Sequence, residues 1–395
     1  MPETARPCPV CASREDRRLL FLEKAPVYLH PVPPEAEVPE PHTLDLEYRQ
    51  CVACGHGFQA RFDMELLTSI YRGFYYTPAV ESVAVTVREE FLDYLRSRPA
   101  LSGFRPARVL EVGCSSGEAL DQARRHYGLP PEAVLGLEPN RETAESARRY
   151  GLEVREDFFG AETAGGLGTF DLAFSRHVVE HIDALPPFLA ALRQVVGEEG
   201  RVVLETPCLD YALKRGSEEA FHVEHLHVFS VASLALAASR AGLGMVDYLE
   251  TRQGNLVATF RPSAGSVPVP ISEGGADLQA RHDLRCRWWA ERLGRQPVVF
   301  WGAGSAARIL LWETGCVPET ICDGNPGKAG RAFVGLPHRI VHGPEHVARL
   351  VASGQDRERL LVASSMFHEE IRRDLDRLGW RGGFLPLDAY EKAHP

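Results

Sequence analysis

The sequence predicts an α/β fold. A doubly wound, Rossmann-like parallel sheet lies between a small cysteine-bound N-terminal block and a second Rossmann-like unit. Three observations predict this. Leu110-Glu111-Val112-Gly113-Cys114-Ser115-Ser116-Gly117 runs from an apolar strand into a glycine turn, and Glu138 closes the next apolar run. Cys8-Pro9-Val10-Cys11 and Cys51-Val52-Ala53-Cys54 form two C-x-x-C knuckles. A second strand, glycine turn and helix restart at Val298–Trp301, Gly302-Ala303-Gly304-Ser305 and Ala306–Glu313.

Apolar runs short enough to be buried parallel strands fall at 108–112, 134–137, 170–175, 201–205 and 255–260, with helical stretches between them. The turn at Gly113 opens a helix over Glu118–Arg125. Pro, Gly and Ser cluster over Arg261–Gly275 and mark a boundary. Beyond it, Thr320–Cys322 (ending in Asp323) and Leu360–Ser364 read as further strands. These signals divide the chain into 1–68, 69–265 and 266–395.

The chain has 395 residues, enough for two or three domains, each with its own core. Its net charge of −10 repels a polyanion on average, so nucleic acid is not an expected partner. No run of 18 apolar residues and no signal peptide are apparent, so no membrane partner and a cytoplasmic location are expected. In a reducing compartment, nine cysteines with four paired as C-x-x-C favour metal binding over disulfides. Four thiolates from Cys8, Cys11, Cys51 and Cys54 match tetrahedral Zn²⁺ with no open position, which makes the expected zinc structural.

The glycine turn reads E-x-G-x-x-x-G, not the dinucleotide pattern G-x-G-x-x-G, and resembles a class I S-adenosylmethionine (SAM) site. Gly113 and Gly117 let a ligand lie against the backbone. Glu138 is placed to accept from a ribose diol, and the acid Glu111 suits a sulfonium cation. Asp157 and Phe158 follow the stretch Leu152–Arg155, where a carboxylate can meet an adenine amino group and a ring can stack on it. His177 and His181 are four apart, and a helix there would bring them to one face. Three histidines and an acid crowd Phe221-His222-Val223-Glu224-His225-Leu226-His227, a pattern suited to removing a proton beside a carbonyl. His222, Glu224 and His225 are the candidates there, and His227, next to Val228 and Phe229, reads as packing. Tyr76, in the aromatic Gly73–Pro78 linker, is a candidate hydrogen-bond donor to the acceptor.

Together these segments resemble the three-domain SAM-dependent C-methyltransferases of deoxysugar biosynthesis, which act on nucleotide-linked ketosugars. The four cysteines are similar to that family's N-terminal zinc domain, and Glu111–Gly117 with Glu138 to its cofactor site. His177–His181 falls at its Asn-x-x-x-His segment, and Phe221–Ser230 at its Y-H-E-H-L-x-x-F-S stretch. Trp301–Gly304, Asp323–Gly330 and Gly335-Leu336-Pro337 are similar to its C-terminal Rossmann-like domain, which in the family helps bind the nucleotide sugar. The resemblance implies a class I methyltransferase domain, SAM and zinc. It makes His225 the base with Glu224 beside it, Tyr76 the linker aromatic, and His181 a partner of the acceptor. Three positions depart from the pattern. The family tyrosine is His222, its first histidine is Val223, and its asparagine is His177, here placed at the cofactor. The expected acceptor is a small molecule, a nucleotide-linked keto-sugar or a related carbonyl compound. Methylation of oxygen or nitrogen on a glycan or metabolite, or a non-catalytic SAM- or nucleotide-binding scaffold, remains open. The sequence fixes no oligomeric state.

Overall fold

The computed structural model describes residues 6–72, 82–262, 265–266, 277–365 and 367–394. Its chain forms two compact units. One comprises Met1–Phe21, Leu46–Gly73 and Pro78–Leu278; the other Leu22–Asp45, Phe74–Thr77 and Gln279–Pro395. Strands in chain order are β1 Asp16–Pro26, β2 Thr43–Cys51, β3 Gly57–Gln59, β4 Val109–Val112, β5 Val134–Leu137, β6 Glu153–Arg155, β7 Phe170–Arg176 and β8 Val196–Pro207. They continue as β9 His227–Val228, β10 Leu243–Glu250, β11 Asn255–Pro262, β12 Val298–Trp301, β13 Thr320–Asp323, β14 Val341–His342, β15 Leu360–Ala363 and β16 Gly383–Pro386.

In the first unit a seven-stranded sheet runs β10-β11-β8-β7-β4-β5-β6. From β8 to β6 the pairings are parallel, and β11 and β10 join antiparallel at one edge. Period-two alternation decides which way each side chain faces. Leu110 and Val112 enter one core with Phe188, Leu189 and Leu234. Val109 enters the other with Phe91, Leu120 and Phe174. Each such large side chain contributes about 1.5–3 kcal/mol on burial. The strand order reverses at β4, between β5 and β7, and ligands of open α/β sheets bind in the crevice at such a point.

A smaller sheet follows the order β1-β2-β3-β9. Its antiparallel register sets Tyr48 opposite Gln59 and Phe58 opposite His227. The second unit carries a five-stranded parallel sheet, β14-β13-β12-β15-β16. Among the described residues, no helix is long and apolar enough to cross a membrane.

Candidate active site

At the end of β4 the chain turns through positive φ at Gly113 (73°), Ser115 (46°) and Gly117 (85°). Glycine is required at Gly113 on two counts: its φ, and space, since a Cβ there would lie 2.4 Å from Val178 Cγ2. The amides of Gly113 and Cys114 both donate to the Leu137 carbonyl, tying the turn to β5. Glu138 completes the tie: its Oε2 accepts from Ser115 N at 2.9 Å and its Oε1 from Asn140 N at 2.8 Å. Burial raises the Glu138 pKa against these amide bonds. Glu111 is 2% exposed, and its Oε2 has no hydrogen-bond partner among the described residues. Burial pushes its carboxyl well above the ordinary range; the nearby Arg176 opposes this, while Glu118 and Glu138 add to it. Three acids thus crowd the glycine turn, and a cation placed beside them favours their ionised forms. Past β6, Asp157 accepts from the Phe158 amide, and the Phe158 ring is 43% exposed at the strand end.

His177 and His181 do not share a helical face. His177 sits at φ 50°, and only a short 3₁₀ turn, Val179–His181, follows it. What brings the two rings together is the buried carboxylate of Glu180, 3.4 Å from His177 Nδ1 and 4.0 Å from His181 Nε2. The Glu205 carboxylate lies 3.8 Å from His177 Nε2 and also accepts from Arg176 Nε at 2.6 Å. Burial opposes a charge on His177, but Glu180 and Glu205 prevail and hold its pKa above the usual value.

The predicted histidine loop converges on the same place. His181 and His225 have ring centroids 4.9 Å apart, and His222 and His225 3.6 Å apart. His181 Nδ1 is 2.7 Å from the Glu224 carbonyl, and His225 Nδ1 is 2.9 Å from that of Ala220. A carbonyl only accepts, so both Nδ1 atoms carry their protons. Burial, with His222 and His181 beside it, holds His225 well below the usual histidine pKa, so it stays neutral at physiological pH. Burial raises the Glu224 pKa. His227 is fully buried, as expected of a packing residue. Its ring bonds to His56 Nε2 and to the Ile182 carbonyl, both at 2.9 Å.

Two residues that sequence reasoning missed hold this loop. Tyr48 Oη donates to the carbonyls of His222 and His225 at 2.7 and 2.8 Å. Gln59 Nε2 lies 2.9–3.1 Å from those of His222, Val223 and His225. Nothing local in the sequence marks them, because their role depends on the pairing of β2 with β3. Tyr76 lies outside the described residues.

The four predicted cysteines meet, with sulfurs all within 4.8 Å of one another. Each close contact joins one knuckle to the other: Cys8 to Cys54 at 3.6 Å and Cys11 to Cys51 at 3.4 Å. A tetrahedron with Zn–S bonds of about 2.3 Å spaces its sulfurs about 3.8 Å apart, so the cluster fits the ion. The hydrogen bond between Cys8 and Cys54 pulls the Cys8 thiol down and pushes Cys54 up, and burial raises Cys51, so a metal ion would displace protons from the cluster.

Residues 86–248 match the family model described as a methyltransferase domain. A ubiquinone biosynthesis O-methyltransferase from Caulobacter sp. (strain K31) is 30% identical over 124 residues, covering 30% of this chain and 49% of that protein. The chain thus spans about half the length of this curated relative. A SAM-dependent methyltransferase structure from Mesorhizobium loti aligns at 17% identity and TM-score 0.32, over 39% of this chain and 90% of that one. The N-methyltransferase NodS structure from Bradyrhizobium japonicum aligns at 13% identity and TM-score 0.34, over 47% and 99%. The chain carries a class I methyltransferase domain of the SAM-dependent kind.

Proposed function

We propose that this protein transfers the methyl group of SAM to a small acceptor held at the histidine cluster, and that the methylated atom is a carbon beside a ketone in a nucleotide-linked keto-sugar. The observation that carries the reading is the meeting of His181, His222 and His225 within the unit that carries the glycine turn. Glu111, Gly113, Gly117 and Glu138 bind the cofactor, with Asp157, Phe158 and His177 bordering it. The imidazole pair His222–His225 takes the acceptor proton, with Glu224 next to it and Tyr76 and His181 as hydrogen-bond partners. The carbanion attacks the sulfonium methyl in line; the S–CH₃ bond breaks as C–CH₃ forms, and S-adenosylhomocysteine leaves. Alignment of two substrates supplies much of the acceleration. Cys8, Cys11, Cys51 and Cys54 hold a structural zinc. Residues 266–395 form the substrate-binding domain for the nucleotide, and the protein acts in the cytoplasm without a nucleic-acid or membrane partner.

O-methylation is the second reading. It is favoured by the name of the Caulobacter relative and by His222 standing where the resembled family has tyrosine. NMR of the product from ¹³C-methyl-labelled SAM separates them, through a C–CH₃ or an O–CH₃ resonance. Calorimetry that finds no heat with SAM or with S-adenosylhomocysteine removes both.

A further inference from the structure

Glu180, His181 and His225 each bring one donor atom to within 4.8 Å of the others. Both rings are prepared in the manner of metal ligands. Each Nδ1–H is tied to a main-chain carbonyl, Glu224 for His181 and Ala220 for His225, which fixes the tautomer and orients the ring. The carboxylate is the more telling part. Glu180 has no exposed surface; its Oε1 lies 3.4 Å from His177 Nδ1, and its Oε2 has no hydrogen-bond partner among the described residues. A buried carboxylate is ordinarily satisfied by donors or by a cation. Glu205 on β8 has a guanidinium, its Oε2 accepting from Arg176 while its Oε1 has no hydrogen-bond partner among the described residues. Glu180 has the His177 and His181 rings at its Oε1 and no donor at its Oε2.

We propose that Glu180, His181 and His225 bind a divalent cation, and that its remaining positions take two adjacent oxygens of the acceptor, as in a vicinal diol, an α-hydroxyketone or a catechol. The second half rests on the reading that the acceptor docks at the histidine cluster. Three protein ligands leave open positions for substrate oxygen. Metal–ligand bonds of about 2.1 Å place neighbouring donors roughly 3 Å apart, so binding draws the three side chains inward by about an ångström. One carboxylate and two imidazoles suit Mn²⁺, Zn²⁺ or Fe²⁺. The cation serves to orient the acceptor. With Nε2 of His225 on the metal, His222 is the member of the imidazole pair left to face the acceptor.

Mn²⁺ followed by electron paramagnetic resonance is the probe, because a hard ion competes poorly for the four thiolates. The full-length protein is expected to take up about one Mn²⁺ per chain, and Glu180→Gln to weaken binding by roughly tenfold or more. SAM should still bind to both proteins. His222→Ala, outside the ligand set, should retain the ion. Should Glu180→Gln fail to fold, His181→Gln gives the same comparison. Catechol added to the Mn²⁺ complex should change the line shape. No Mn²⁺ uptake by the wild type, or equal uptake by the variants of Glu180 and His181, overturns the site; an unchanged line shape overturns the chelation. Methyl transfer that persists in chelator, with no Mn²⁺ bound, refutes this inference and leaves the proposed function standing. Mn²⁺ uptake without any SAM binding does the reverse.

Discussion

Replacing Gln59 with leucine keeps the bulk of a buried side chain and removes its two amide protons. In the native protein those protons, with the single proton of Tyr48, face the three carbonyls of His222, Val223 and His225. The His222 carbonyl also accepts from His225 N at 3.0 Å and Tyr48 reaches His222 and His225, so the Val223 carbonyl is the one that depends on Gln59. Leucine leaves the Val223 carbonyl without a donor, and such a buried orphan costs about 1–3 kcal/mol. A loss of about 1–3 kcal/mol is enough to loosen the loop. A displacement of about 1 Å lowers turnover on the order of a hundredfold. The glycine turn is tied to β5 through Leu137 and Glu138, so SAM affinity should hold. Hydrogen exchange over residues 220–228 reads the loop directly, and single-turnover methyl transfer reads the consequence. Tyr48→Phe removes one proton and should have the smaller effect. The double variant should cost less than the sum, because both residues serve the same acceptors. Native exchange in Gln59→Leu would refute the clamp.

Three other perturbations follow from the site. Burial raises the Glu111 pKa, and a sulfonium beside it favours the carboxylate; SAM binding should therefore release a proton and tighten as pH rises through that pKa. Calorimetry in buffers of different ionisation enthalpy measures this release, which Glu111→Gln should abolish. Gly117→Ala forces a Cβ to 2.8 Å from that of Ala147 at φ 85°, and should lower stability by roughly 1–3 kcal/mol in urea unfolding while weakening SAM binding. Burial holds His56 and His227 neutral, His227 down to about 3, so below pH 6.5 the unfolded chain takes up protons that the folded one refuses. Stability should fall by up to about 3 kcal/mol per pH unit from these two together, and an unchanged urea midpoint between pH 6.5 and 5.5 contradicts this.

The parts of the site that were legible in the sequence are those built by neighbours in the chain. The turn from Glu111 to Gly117 and the acid Glu138 show because strand, glycine and strand end follow a fixed order, and the cysteine knuckles show because their spacing is local. His177 and His181 were placed on a helix because spacing alone suggests a 3.6-residue period; the positive φ of His177 breaks it, and two buried carboxylates compensate. Glu180 stands in the sequence between the two histidines, but its burial comes from packing and does not show there. The two glycine turns also look alike in sequence and differ in chemistry. Asp323 accepts from Ala303 N and Asn325 N, much as Glu138 accepts from Ser115 N and Asn140 N. Lys328 Nζ then lies 3.2 Å from Asp323, so a ribose diol there would compete with an ammonium.

The N-terminal block has a direct bearing on the chemistry. Cys51 ends β2, and the turn from Cys51 to Gly55 leads into β3 within a few residues. That turn sets the register in which Tyr48 faces Gln59, and those two side chains carry the carbonyls of the histidine loop. Pairing of Phe58 with His227 extends the same sheet into the loop's far end, and Arg6 adds bonds to the carbonyls of Gln59 and Leu226. A metal that fixes the cysteine turn would thus act on His222 and His225 through main-chain geometry, without touching a reacting atom. By this argument the loss of the ion should relax the loop before it disturbs the glycine turn, because the seven-stranded sheet has its own cores on both faces.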